Sequence, residues 1–362
     1  MSYTILVTGA SGFLGSALCQ DLARDHTIIG LHRRPLSERL IKAAPQIQWE
    51  KSNIEDRDCI DWIFKQNALK GQPIDYVIHF AAYVGFKKQW QDEHSDTNLI
   101  GTRNIIDAAC DAGVKRILFA GSIAALDPLP LGSVLTEKSL AGGAIAYSKS
   151  KALGEKLLLE NSHRTPAVVL RLGGVFTDWC ELPPLFSVMK MWSRPFIGRM
   201  MPGLGLSGFP YIHRKDVVRI VRKIIEKNNC LDRYETLFAS HDGCTCQKDL
   251  FPIIRRESNE NFSTIPLHVP LPIARMALHG KFFYNTLRNK ETYERAWMID
   301  FADRPLVVDT TYTRKKLNWK PRPELHIMNC LPVLLQKFNH HFKTWHIRNI
   351  NRNDQKYEYN PD

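Results

Sequence analysis

Residues 4–15 read TILVTGASGFLG. The opening TILVT is apolar without alternation, the pattern of a strand buried on both faces. Glycines at 9, 12 and 15 then lead into a helical pattern over 12–24. Glycine there permits a tight turn, lets a pyrophosphate approach the backbone, and seats the helix closely on the strand. The phosphates would meet the N–H groups and positive dipole end of that helix. Gly9, Ser11, Gly12, Phe13, Leu14 and Gly15 are therefore expected to hold a dinucleotide. The spacing is G-x-x-G-x-x-G, and it sits where the motif requires, after a strand and at a helix start.

Outward from this turn, the first 175 residues alternate short β-branched runs with helical patterns, the mark of a parallel sheet with crossover helices. Strands are predicted at 4–8, 27–31, 47–50, 76–81, 116–121 and 167–172, and helices at 12–24, 60–66, 97–112 and 146–160. From Phe176 the texture changes, and 183–210 mixes apolar residues with Gly and Pro. Regularity returns as a strand end and helix over 211–226, strands at 235–239 and 263–267, and helices at 248–257 and from 273. The last helix carries an apolar stripe of Leu331, Leu335, Phe338, Phe342 and Trp345, read as core packing, with Pro332 in its first turn. The fold class is α/β: a Rossmann-type doubly wound parallel sheet over 1–176 with a return segment at 211–238. A smaller α/β substrate domain spans 177–350, and 351–362 form a disordered tail.

The chain has 362 residues, enough for one large domain or two modest ones. Residues 1–180 hold 20 Lys and Arg against 19 Asp and Glu, so the +12 net charge sits almost wholly in the second half, with 29 against 18. An excess placed so unevenly suits an anionic partner or simple solubility. No RNA-binding signature or basic arm points to nucleic acid. No apolar run reaches membrane-spanning length, which leaves surface attachment open. The N-terminus shows no secretory signal, and the eight Cys have no metal-ligand spacing, so reduced thiols in a cytoplasmic protein without a metal are expected.

The second strand is followed by His32, Arg33 and Arg34. A carboxylate there would hold the adenosine 2′-hydroxyl of NAD, whereas paired guanidiniums suit the 2′-phosphate of NADP. NADP is the expected cofactor, with NAD as the alternative. Ser122 ends the fifth strand, where ligands of such sheets bind. In AYSKSKALGE, residues 146–155, Tyr147 stands one turn ahead of Lys151 on one helix face. A neighbouring ammonium favours the ionised phenol, which lets tyrosine exchange protons at neutral pH.

Together these stretches resemble an extended short-chain dehydrogenase/reductase, the family of nucleotide-sugar epimerases and dehydratases, dihydroflavonol-type reductases and 3β-hydroxysteroid dehydrogenases. TGASGFLG resembles the family's cofactor loop. SNIEDRD, with Asn53 and Ile54, resembles its adenine-contacting segment, although Asn53 replaces the usual Asp. HFAA, ending in Ala81 and Ala82, resembles its fourth-strand motif, and TNLIGTRN places Asn98 and Gly101 as the family does. YIHRKDVV and LNWKP resemble its downstream segments. The resemblance implies that Ser122, Tyr147 and Lys151 are the catalytic set, and that Tyr147 and Lys151 also touch the cofactor.

Gly173 and Gly174 stand where nucleotide-sugar members usually carry an Asn for the diphosphate. The lid region, with Phe186, Met189, Trp192 and Phe196, suits an apolar pocket. Arg194, Arg199 and Arg214 could still receive an anionic group. The expected activity is therefore NAD(P)-dependent oxidation or reduction of a mainly apolar small molecule, in a protein that could form homodimers. The alternatives are a nucleotide-sugar epimerase or dehydratase holding NAD tightly, and a catalytically silent dinucleotide-binding scaffold.

Overall fold

In the computed structural model the described residues are 2–350, apart from 86, 127–129, 131 and 289–292; the tail expected at 351–362 lies outside them. β1 (Thr4–Thr8) is buried throughout and pairs in parallel with both β2 (Thr27–His32) and β4 (Tyr76–His79). β3 (Gln48–Lys51), β5 (Arg116–Ser122), β6 (Ala167–Leu172) and β7 (Tyr234–Ala239) complete a seven-stranded parallel sheet in the order β3-β2-β1-β4-β5-β6-β7. The chain begins in the middle, builds to one edge, and restarts beside β1. That reversal leaves a crevice at the carboxyl ends of β1 and β4, the natural ligand site of such a sheet.

Period-two alternation sorts β1 between two cores. Ile5 and Val7 join the helices Gly15–Leu22 and Arg214–Glu226 through Leu18, Leu22, Ile220 and Val221. Leu6 faces the other layer, with Ile60, Ile63, Ile105 and Leu158 from the opposite helices. The stretch expected as one helix over 97–112 begins with a wide π turn, Asp96–Gly101, before the α-helix Thr102–Asp111.

A further core gathers Phe176, Leu185, Met189, Trp192, Phe251 and Trp345, with neighbours. Three expectations are corrected here. The last helix is two, Ile327–His340 and Phe342–Ile350, broken at His341. Pro332 lies inside the first of them rather than in its first turn, because the helix starts at Ile327 behind a His326 cap. The strand expected at 263–267 forms at Leu267–Val269, parallel to Met200–Pro202, since Pro266 has no N–H and Ser263 turns the chain by accepting from Ile265 N–H. The stripe itself is core: Leu331, Leu335 and Trp345 are fully buried, and Phe338 packs on Trp345. Among the described residues no helix is long and apolar enough to cross a membrane.

Candidate active site

Gly9 follows β1 with φ +66°, and a Cβ there would lie 2.9 Å from the Ala81 nitrogen. Only glycine fits where the end of β1 meets the segment after β4. Beside it, the Thr8 hydroxyl accepts from the Phe80 and Ala81 N–H groups (3.2 and 3.0 Å), so its own proton goes to His79 Nδ1 at 2.7 Å. His79 Nε2 must then carry the ring proton, donated to Thr102 Oγ1 at 3.0 Å. Burial, with a smaller contribution from the Lys151 charge, pushes the His79 pKa down to about 3, so the ring is a neutral strut. Gly12 N–H closes the turn onto Gly9 O at 2.9 Å. The helix Gly15–Leu22 has no side-chain cap and no acidic residue in its first turn, which leaves its positive end fit for a pyrophosphate. Arg214 approaches the same loop, with its guanidinium 5.4 Å from the Phe13 ring centre and donating to Phe13 O.

At the end of β2, His32 Nδ1 donates to Arg34 O, while Arg33 and Arg34 are exposed. Arg33 lies 3.6 Å from Glu55, a carboxylate the sequence reading passed over. Glu55 also accepts from Thr97 Oγ1 and Asn53 Nδ2. Its position two residues after Asn53, in the segment already singled out, was the available signal.

The catalytic candidates converge on β5. Ser122, buried at its end, accepts from Ala124 N–H and keeps its own proton to give. Tyr147 is half-buried in the first turn of the helix Ala146–Asn161. Lys151, one turn on, is buried, and its ammonium donates to Ala120 O at 2.8 Å, two residues before Ser122 on the same strand. Gly154 permits this approach, because a Cβ there would lie 2.6 Å from the Phe119 ring. Burial lowers the Lys151 pKa to about 8, with Glu155 opposing the shift. Glu155 pairs at 2.8 Å with buried Arg171, whose guanidinium also donates to Glu137 O and Ser139 O.

Asn98 is spent on the protein. Its Oδ1 accepts from Tyr83 N–H, and Nδ2 donates to Tyr83 O and to Ser150 Oγ. Ser150 Oγ in turn donates to Tyr147 O at 2.7 Å. A residue expected to contact the cofactor therefore ties the loop after β4 to the Tyr147 helix. Ile54, also expected there, is buried, with its side chain against Gly101 of the π turn. Ala82 is half-buried just beyond Ala81.

The expected apolar lid does not wall a pocket. Met189 and Trp192 are fully buried in the smaller core, Phe186 packs on Trp345, and Phe196 points outward at 90% exposure. Pro and Gly punctuation marked the region as irregular but could not say which side chains turn inward.

A doubly wound sheet, an uncapped helix behind a glycine turn, and a Tyr–Lys helix against the neighbouring strand define the class: a dinucleotide-dependent enzyme of the extended short-chain dehydrogenase/reductase type. The chain belongs to the NAD dependent epimerase/dehydratase family, whose model matches residues 5–237. It is 25% identical over 236 residues to sterol demethylase protein B of Methylococcus capsulatus, covering 64% of this chain and 68% of that one. It is 30% identical over 174 residues to a UDP-glucose 4-epimerase of Yersinia enterocolitica, covering 45% of this chain and half the length of that relative. Its fold matches the UDP-glucose 4-epimerase of Thermotoga maritima, solved with UDP-glucose, at a TM-score of 0.70 and 18% identity, over 94% of this chain and 99% of that one.

Proposed function

We propose that the chain catalyses reversible hydride transfer at a carbinol or carbonyl carbon, with Tyr147 exchanging the proton on oxygen. The observation that carries this is the Lys151 ammonium seated on Ala120 O, with Tyr147 one turn before it and Ser122 at the strand end. Tyr147 gives its proton to the carbonyl oxygen in the reductive direction, and Ser122 donates a hydrogen bond to that oxygen as charge gathers on it. Lys151 favours the ionised phenol, and it would hold the ribose of the dinucleotide. The bound dinucleotide supplies or accepts the hydride. The glycine turn and the uncapped helix Gly15–Leu22 support a site for its pyrophosphate.

For the substrate, the relatives favour a nucleotide sugar over the apolar compound suggested by the lid, and the burial of Met189 and Trp192 removes the main argument for the latter. We therefore put a nucleotide sugar first. One observation keeps an apolar carbonyl compound as the second reading. A Cβ at Gly174 would lie 2.3 Å from the Phe209 ring, so no Asn for a diphosphate fits there without displacing that ring. Sterol demethylase protein B, a relative matched over two thirds of its length, points the same way.

Incubation with UDP- and dTDP-sugars on one side and hydrophobic ketones on the other, followed at 340 nm and by product analysis, separates the two. Sugar interconversion without net cofactor change supports the first. Stoichiometric NADPH or NADH oxidation by a ketone supports the second. In either case Tyr147→Phe should lower turnover by roughly 10²–10⁴-fold while the fold and cofactor affinity persist. Near-full turnover in that variant would refute the proton role.

A further inference from the structure

The helix Leu271–Thr286 turns the wrong face to solvent. At 100° per residue, Leu271, Ala274, Leu278 and Asn285 point inward, and these are its buried or half-buried positions. The opposite face carries Ile273, Met276, Phe283 and Tyr284, continued by Leu287 just past the helix. Met276 and Phe283 are each 68% exposed and Leu287 is 71% exposed. A surface helix normally shows polar residues there.

The stripe has apolar neighbours. Leu267 lies on the strand that feeds this helix, and it pairs with Met200, which follows exposed Phe196 and Ile197. Exposed apolar side chains gathered along one helix face mark an interaction site.

Charge says what the partner is. The two stretches that build the surface, 183–210 and 263–288, contain no Asp or Glu, and carry Lys190, Arg194, Arg199, Arg275, Lys281 and Arg288. On the helix, Arg275 and Lys281 lie on opposite flanks of the apolar stripe. Among the described residues Asp300 pairs with Arg275 and Glu294 with Lys281, while no carboxylate pairs with Arg194, Arg199 or Arg288. A second copy docked through a two-fold axis would bring the same cations face to face. An apolar stripe rimmed by cations matches a bilayer surface with anionic headgroups, where the stripe enters the acyl boundary and the cations meet phosphates.

We propose that the face formed by the helix Leu271–Thr286 and the segment around Phe196 seats the protein on anionic membranes, as an interfacial contact and not a span. The test is co-sedimentation of the full chain with phosphatidylcholine vesicles, with and without phosphatidylglycerol, at low and high salt. Binding is expected only with phosphatidylglycerol, weakened by salt, and reduced roughly tenfold or more by the pair Met276→Glu and Phe283→Glu, a loss of about 1.4 kcal/mol or more. Both side chains are exposed, so the melting temperature should hold. Leu287→Glu, outside the helix, gives an independent reading if it does not. Absence of binding to phosphatidylglycerol vesicles overturns the proposal. So does analytical ultracentrifugation showing a dimer that these substitutions convert to monomer, which would assign the face to a second copy.

Discussion

Lys151 is the buried amine of the candidate site, and its charge bears on stability. Its native pKa lies near 8, against 10.5 for an exposed lysine. Between those values the unfolded chain binds more protons than the native one, so this group's contribution to stability rises with pH. Below pH 8 both states are charged, and the native protein bears the full cost of burying the ammonium. In cofactor-free protein, the urea midpoint of wild type relative to Lys151→Met should therefore climb between pH 8 and 10. A flat difference would mean the amine is not desolvated as the structure has it.

At the adenosine end, Glu55 competes with any 2′-phosphate for Arg33. Glu55→Gln should tighten NADPH several-fold with little effect on NADH, and Arg33→Ala should weaken NADPH about tenfold, the scale of one charged hydrogen bond. Fluorescence titration of both cofactors reads this directly, and equal changes for the two would remove Arg33 from the discrimination. The grouping of Tyr147, Lys151 and Ser122 as candidates was legible because i, i+4 spacing and strand-end position are local facts. Glu55 was not, because its pairing with Arg33 depends on β2 and β3 lying side by side.

At the scale of elements, the π turn Asp96–Gly101 links the loop after β4 to the Tyr147 helix through Asn98. Asn98→Ala removes its bonds to Tyr83 N–H, Tyr83 O and Ser150 Oγ, which should cost about 1–3 kcal/mol. If the clamp is its main task, turnover falls while NADH affinity is nearly kept. A cofactor affinity that collapses with a normal melting temperature would instead make Asn98 a direct ligand. Helix periodicity marked the stretch but could not reveal the extra residue in its turn, since a π turn keeps helical composition. Nor could it place the break at His341, because the apolar stripe runs across the break, with Leu335 on one side and Trp345 on the other.

Across the whole molecule, the sheet was the more legible part, because each strand announces itself within a few residues and parallel crossovers admit few orders. The smaller core was not, as it draws on stretches far apart in the chain. Its closure shows why. Buried Glu181 accepts from Arg348 at 3.0 Å and from Thr177 Oγ1, while its N–H donates to Asn349 Oδ1. Removing one partner of a buried pair typically costs about 3–5 kcal/mol. Arg348→Leu should therefore lose stability on that order by urea unfolding, and adding Glu181→Gln should recover part of it. Additive losses would show that the two do not act as a pair.

That closure also bears on how the protein is made. Chains leave the ribosome from the N-terminus and domains fold as they emerge. Every strand of the sheet is present once Ala239 is out, so the dinucleotide crevice can form early in synthesis. Glu181, at positive φ like Cys180 before it, must wait for a helix made more than 160 residues later to latch it. During that interval the smaller core lacks Leu331, Leu335 and Trp345, which complete it. The nascent protein thus passes through a stage with one finished lobe and one adhesive one, which is the stage at which chaperones would be needed.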